Sequence, residues 1–548
     1  MKHTRTARAL VCLLALAMLL SLSANALATE DGPLTPYAEP VTITWAVQAS
    51  AVQQFIDGDT YDDNVWSRLI KDKLNIDVEV AFSADTSTDA YNNKMNILLA
   101  SGEFPDIIRF SNRTFFKQAI DAGYIQPLDE VFEKYATDAV KQYRIDYADA
   151  FEGATVDGKL YAFPYMNNNF HQAPFLWIRQ DWLDNLNAVA PTTVEEMVEL
   201  ARRFTFEDPD QNGENDTYGF GLAGAVVQSN YGTLLGLAGA YGVPGYGNSG
   251  VFFRGEDGKI TFAYLQPGMK EALALVRDMY AEGLIDPEFT AEDVASMESA
   301  VATGRIGMMY HMNWGTWHPF NYSYQQTGVI TKPYPIPTKE GYEPKLGINS
   351  NQVGDLFMIS SACKNPEAAI KILNLYEQVA ISSPNPEDFK TYWANEQYRL
   401  CPMYIGIPTE NFAPILHKAL AAGSSEGLTG AVLEYYNYVV GFEDGTLAKD
   451  TNAYGTWGQM YIDGYGGSMK IALDYKDKGW LYTNIMANEM PEIWVQNSSV
   501  LGDLVDTAFV DIITGVKPIE SFDTFVEEWL AAGGQQTLDE MEVLYPAR

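Results

Sequence analysis

Cysteine is nearly absent from this sequence, with three residues in 548. Cys12 sits inside an apolar run near the N-terminus, which leaves Cys363 and Cys401 for the rest of the chain. A disulfide framework is therefore excluded as the source of stability. At most one bridge could form, and spacing alone does not decide whether it does. Histidine is scarce too: His171, His311, His318 and His417 lie beyond the N-terminal segment, and none stands at metal-ligand spacing. Basic residues are outnumbered two to one, 36 Lys and Arg against 72 Asp and Glu, for a net charge of −36. Such a surface repels nucleic-acid phosphates and anionic lipid headgroups. After the N-terminal segment no run is apolar enough to cross a bilayer. Internal repeats and low-complexity tracts are also missing.

What is present builds cores. Hydrophobic residues make up 47% and aromatics 13% of the chain, and the length suits two or three domains. Residues 1–28 differ from the rest. "MKHTRTAR" carries Lys2, Arg5 and Arg8, "ALVCLLALAMLLSLS" is a compact apolar run, and "ANALA" holds two overlapping A-x-A sites. This is the three-part layout of a secretory signal peptide, cleaved near Ala26 or Ala28. A lipoprotein would need a Cys directly after the apolar run, whereas Cys12 lies within it, behind Val11. The mature chain is expected to be exported and soluble, opening with an acidic leader over 29–40.

Beyond the leader, strand and helix patterns alternate. "VTITWAV" (41–47) and "IDVEVAF" (76–82) alternate as strands, "DIIRF" (106–110) reads as a short buried strand, and "NVWSRLIKDKL" (64–74) and "DAYNNKMNILLASG" (89–102) have helical spacing between them. This order predicts mostly parallel sheet with helices on both faces, and ligands on such sheets bind beyond the carboxyl ends of strands. "APTTVEEMVELARRF" (190–204) has a helix-start signature at Thr192 or Thr193, with Glu195 or Glu196 in the first turn. Pro267 and Pro366 stand where further helices begin.

The stretch "DPDQNGENDTYG" (208–219) carries oxygen donors at alternate positions: Asp208, Asp210, Asn212, the Glu214 carbonyl and Asp216, with Gly213 at the sharp turn. Hard donors so spaced suit Ca²⁺. Position twelve is Gly219, so the bidentate Glu of a sensor loop is missing, and "YGFGLAG" after it reads as strand. The expectation is one structural Ca²⁺ that fixes a loop. The plain alternative is an Asx-rich turn.

Other motifs lack their context. "GYGNSG" (245–250) follows "VPG" rather than a strand, and "GSSEG" (423–427) follows a helical pattern, so neither a nucleotide loop nor a nucleophile elbow is expected. Carboxylates are so abundant that pairing two as general acid and base would be arbitrary. Aromatics are more suggestive: Trp314 and Trp317 fall in a loop-like "HMNWGTWHPF", Trp45 ends the first strand, and Trp457 lies among tyrosines in "TWGQMYIDGYGG". Flat apolar rings with polar tips suit sugars and other amphipathic ligands, and they equally suit a core.

In order along the chain, "LLASGEFPDII", "GKLYAFPY", "LWIRQDWLDNL", "PTTVEEM", "DPDQNGENDTYG", "LVRDMYAEGLIDPE", "ATGRIGMM..NW" and "CKNPEAAIKILN" resemble the extracellular solute-binding proteins of carbohydrate ABC importers. The tail, "FVDIITGVKPIESFDTFVEEWLAAGG", is similar to the larger members, the LplA-like and alginate-oligosaccharide-binding-like proteins. The resemblance implies a type II periplasmic-binding-protein-like fold, two hinged α/β lobes with the ligand between them. It divides the chain into 41–166 with about 328–385 as the first lobe and 167–327 with about 386–548 as the second, the tail touching both. It nominates Trp45, Gln48, Phe110, Asn112, Arg113, Asn168, Trp314, Trp317 and Trp457 as ligand contacts. It implies a structural calcium loop, an ABC permease as partner, a monomer, and a binder rather than an enzyme. Similar lipoproteins are tethered through a Cys that this chain lacks, which leaves release, retention by the permease or a periplasmic location open. A binder of peptides or other non-sugar solutes, a secreted carbohydrate-active enzyme and a structural surface protein are the rival readings.

Overall fold

The computed structural model describes residues 31–547 apart from 50–54, 57, 87–89, 167–171, 228–231, 247–249, 293, 349–352, 395, 407–408, 465 and 487–489. The expected signal segment and Asn168 lie outside the described residues.

Two sheets carry the architecture. Their strands are β1 (Val41–Ala49), β2 (Ile76–Asp85), β3 (Ile107–Phe110), β4 (Ala162–Met166), β5 (Phe175–Arg179), β6 (Tyr218–Gly221), β7 (Ile306–His311), β8 (Thr331–Tyr334) and β9 (Val353–Ile359). The first sheet has the order β2-β1-β3-β9-β4, the second β8-β5-β7-β6. Alternation produces β1 as expected, and Ile43 and Trp45 point into the core.

The sheets are mixed rather than mostly parallel. β1 runs parallel to β2 and β3, but β9 runs against β3 and β4. In the second sheet β7 is parallel to β6, while β5 opposes both β7 and β8. The reason is the crossing. The chain leaves the first lobe at the carboxyl end of β4 and re-enters at β9, so the returning strand must run backwards. β5 is its counterpart in the second lobe. All other strands therefore aim their carboxyl ends at the space between the sheets.

The lobe boundaries need correction. The chain does not return to the first lobe near 328. β8 is an edge strand of the second sheet, where Pro333 lacks a ladder donor without penalty, and Ile336, Leu346 and Ile348 belong to the second core. Nor does the first lobe stop at 385, because Leu400, Cys401, Met403, Tyr404 and Ile405 pack into its core with Trp66, Ile70 and Phe163. Cys363 and Cys401 are both buried there as free thiols.

Helices 409–422, 430–443, 451–460 and 467–477 form a third cluster. It has a small core of its own, which includes Leu416, Tyr435, Met460, Met469 and Phe389. The C-terminal helices 492–513, 521–529 and 535–544 close the second core, where Trp529 stacks on Phe262 with centroids 4.5 Å apart. The leader docks on the first lobe: Asp31 accepts from the buried Lys371 at 2.6 Å, and this bond holds its carboxyl below the usual carboxylate range. Among the described residues no helix is long and apolar enough to cross a membrane.

Local rules hold where the sequence states them. Thr193 caps the helix Val194–Phe206 in a capping box with Glu196, and Pro267 and Pro366 open their helices.

Candidate ligand-binding site

β7 delivers its carboxyl end to the interlobe space, and the loop that follows, 312–319, carries Trp314 and Trp317. The loop is clamped from behind. Gly455 and Gly458, one helical turn apart in Thr451–Met460, let it lie against the helix backbone: a Cβ at 455 would stand 2.5 Å from the Trp317 ring, and one at 458 would stand 2.2 Å from Thr316 Cγ2. Thr316 Oγ1 donates to the Gly455 carbonyl at 3.0 Å, Trp317 Nε1 donates to Gln459 Oε1 at 3.2 Å, and Ser468 Oγ donates to the Asn313 carbonyl. Beneath the loop, His311 meets Trp314 edge-on at 4.4 Å, and burial pushes its imidazole down to about 3. His318 pairs with Glu298 at 2.7 Å.

In front of Trp314 and Trp317 opens a pocket of about 400 Å³. Phe389 and Trp393, stacked at 4.7 Å, also line it. Trp393 packs against both the first-lobe core and the helical cluster, and its neighbour Tyr392 accepts a hydrogen bond from Trp66 Nε1 at 3.0 Å through its carbonyl. Tyr435 and Tyr438 of the helical cluster complete the aromatic lining. Polar groups at the rim are Glu396, Asn452 and Gln459. Glu396 is ion-paired with Arg399 and accepts from Tyr398 at 3.2 Å. The pocket thus joins indoles held by both lobes, with a few hydrogen-bonding groups between them, which is the composition of a site for an amphipathic ring.

Of the expected contacts, Trp314 and Trp317 line this pocket, Asn168 lies outside the described residues, and the remaining described ones lie elsewhere. Trp457 is buried, packs against Phe442 with tilted rings and donates to Glu443 at 2.5 Å, so it is a core residue. Trp45 and Phe110 are buried in the first core, and Phe110 meets Phe115 edge-on at 5.1 Å. Asn112 caps the helix Arg113–Asp121 by accepting from the Phe115 N–H at 2.9 Å. Arg113 donates to the Gly153 carbonyl at 2.8 Å, and burial lowers it to about 10. Gln48 is engaged with Arg109, donating to its carbonyl at 3.0 Å, while Arg109 pairs with Asp355 at 2.7 Å and lies over the Tyr404 ring. These positions sit at the cleft ends of β1 and β3, where Gln48 and Asn112 are engaged within the lobe while Trp45 Nε1 and Arg113 Nη2 are buried without a hydrogen-bond partner. Trp393, Phe389, Glu396, Tyr435, Tyr438, Asn452 and Gln459 were missed; the aromatic spacing in "FKTYWANEQYRL" and "LEYYNYVV" was the available signal.

The 208–219 loop folds on its own acidic side chains. Asp208 accepts the backbone N–H groups of Asn212 and Gly213, both at 3.1 Å, and Gly213 turns with φ +82°. Asn212 Nδ2 stands between Asp210 at 2.9 Å and Asp216 at 3.2 Å. Burial raises the Asp210 carboxyl, and Asp208 and Asp216 add to that rise. The donor chemistry fits a hard cation, though among the described residues no three His, Cys, Asp or Glu groups close on one point. Position twelve could not hold a Glu, because a Cβ at Gly219 would meet the Ala201 carbonyl at 2.1 Å.

Two lobes joined by crossing strands, with an aromatic pocket between them, define a two-lobe solute-binding protein. The chain belongs to the bacterial extracellular solute-binding protein family, which it matches over residues 40–378. Members of that family are exported binding proteins. Curated relatives include lipoprotein LipO of Bacillus subtilis, 28% identical over 42% of this chain and 43% of its own length. The fructooligosaccharide ABC transporter substrate-binding protein FusA of Streptococcus pneumoniae is 24% identical over 48% of this chain and 50% of its own. The chain therefore matches about half the length of these curated relatives. Over nearly the whole chain the fold is that of FusA solved with kestose (TM-score 0.63, 15% identity, 92% of this chain and 98% of that one). It is likewise that of the alginate-binding protein AlgQ2 solved without calcium ion (TM-score 0.61, 15% identity, 94% and 100%).

Proposed function

We propose that this protein captures an oligosaccharide or glycoside between its lobes and delivers it to an ABC permease. The observation that carries the reading is the pocket shared by Trp314 and Trp317, on the loop after β7, and Trp393, which bridges the first-lobe core and the helical cluster. A ligand that touches both walls favours the closed arrangement in proportion to its differential contacts, so capture and closure are one equilibrium. Stacking and side-chain hydrogen bonds supply affinity without breaking a bond. The enzyme reading would need two carboxyl groups flanking a scissile linkage, about 5–9.5 Å apart, and Glu396 is the single carboxylate among the described lining residues. FusA and AlgQ2 carry sugar ligands in their names, which supports the glycan reading over the peptide one.

The same reading includes export of a monomer by a cleaved signal, no affinity for nucleic acid, and one structural Ca²⁺. Asp208, Asp210, Asn212, Asp216 and the Glu214 carbonyl would hold the ion, which would supply charge neutralisation to a loop crowded with carboxylates.

The test is a thermal-melt screen of the mature protein, with calcium, against oligosaccharides and peptides. A ligand at about 100 times its Kd adds about 2.7 kcal/mol. A rise with one glycan class and no product formed supports the proposal, while a rise on peptides alone, or product formation, overturns it.

A further inference from the structure

We infer that the cleft selects uncharged glycans and rejects acidic ones, with Glu396 as the discriminating residue; this rests on the reading that the pocket takes a glycan. Among the described residues no Lys or Arg lines the pocket, and Glu396 is its one formal charge. The nearby cations are already committed. Arg399 is ion-paired with Glu396 itself, and Arg109, at the cleft end of β3, is ion-paired with Asp355 under the Tyr404 ring. Arg113 donates through Nη1 to the Gly153 carbonyl and is not among the lining residues.

A uronate or sulfated sugar would have to shed water from its anion beside a carboxylate, with no Lys or Arg among the described lining residues to replace that hydration. The field of a chain of net charge −36 opposes its approach as well. A neutral sugar meets the opposite conditions. Its hydroxyls donate to the Glu396 carboxylate, the Asn452 and Gln459 amides both donate and accept, and its apolar face stacks on Trp314, Trp317 or Trp393.

The experiment is calorimetric titration of the full mature chain with matched pairs, each uronate oligosaccharide beside its carboxyl-reduced, neutral counterpart. Neutral hexose and fructose oligosaccharides are titrated alongside. The expected result is binding of a neutral glycan and at least tenfold weaker binding of the matched uronate, a difference of about 1.4 kcal/mol. Glu396→Gln keeps the side chain's shape, removes its charge and releases Arg399 from its ion pair, and it is expected to narrow that gap. Equal or tighter binding of the uronate overturns the selectivity and leaves the glycan reading standing. An unchanged gap in Glu396→Gln overturns the role given to that residue. Silence on every glycan overturns the glycan reading and this inference with it.

Discussion

Gly455 lies so close beneath the indole of Trp317 that a Cβ there would stand 2.5 Å from the ring. The helix backbone is thus the backing plate of the binding loop, and the missing side chain sets the ring's position. Gly455→Ala is expected to push Trp317 toward the pocket, at a cost of about 1–3 kcal/mol from overpacking. Glycan affinity should fall by more than the melting temperature suggests. Titration and thermal melting on one sample check this.

Trp457 makes the complementary case. It lies two residues along the same helix, yet it is buried against Phe442 and hydrogen-bonded to Glu443. Trp457→Ala is expected to cost about 3–5 kcal/mol of stability. The fraction that remains folded should bind glycan with unchanged Kd. Urea denaturation and titration separate the two effects.

The acidic loop gives a prediction on calcium. If the ion sits among Asp208, Asp210, Asn212 and Asp216, chelation lowers the melting temperature of the wild type and has no effect on Asp210→Ala. Gly219→Glu would complete a sensor-type loop in sequence. It is expected to destabilise the protein instead, because its Cβ would collide with the Ala201 carbonyl at 2.1 Å. Melting curves with calcium and with chelator distinguish these outcomes.

His311 couples stability to pH. Burial lowers its pKa from an ordinary 6.5 to about 3, so between those values the unfolded chain takes up a proton that the folded chain refuses. Stability therefore loses nothing from this group above pH 6.5. It falls as pH drops below that, by up to about 1.4 kcal/mol per pH unit, until the folded ring protonates near pH 3. His311→Gln is expected to flatten that part of the slope, read from denaturation midpoints at pH 4–7.

Much of the frame was legible because strand alternation and helix caps are local signals. β1, β2 and the capping box at Thr193 and Glu196 follow from neighbours a few residues apart. The re-entry point was not legible. β8 is four residues long and contains Pro333, so nothing local shows which sheet it joins. The site was half legible. Trp314 and Trp317 share one short loop, but their partner Trp393 stands nearly eighty residues on, and only the tertiary fold brings them together. At the ends of β1 and β3, Gln48 is engaged with Arg109 and Asn112 serves as a helix cap, contacts that no local pattern announces.

The central claim is that indoles from both walls grip one glycan. It is tested most directly by titrating an oligosaccharide that raises the melting temperature into wild type, Trp314→Ala and Trp393→Ala. Each variant is expected to melt cooperatively and to bind at least about tenfold more weakly, about 1.4 kcal/mol or more per indole. Folded variants that bind that glycan with the wild-type Kd would contradict the account.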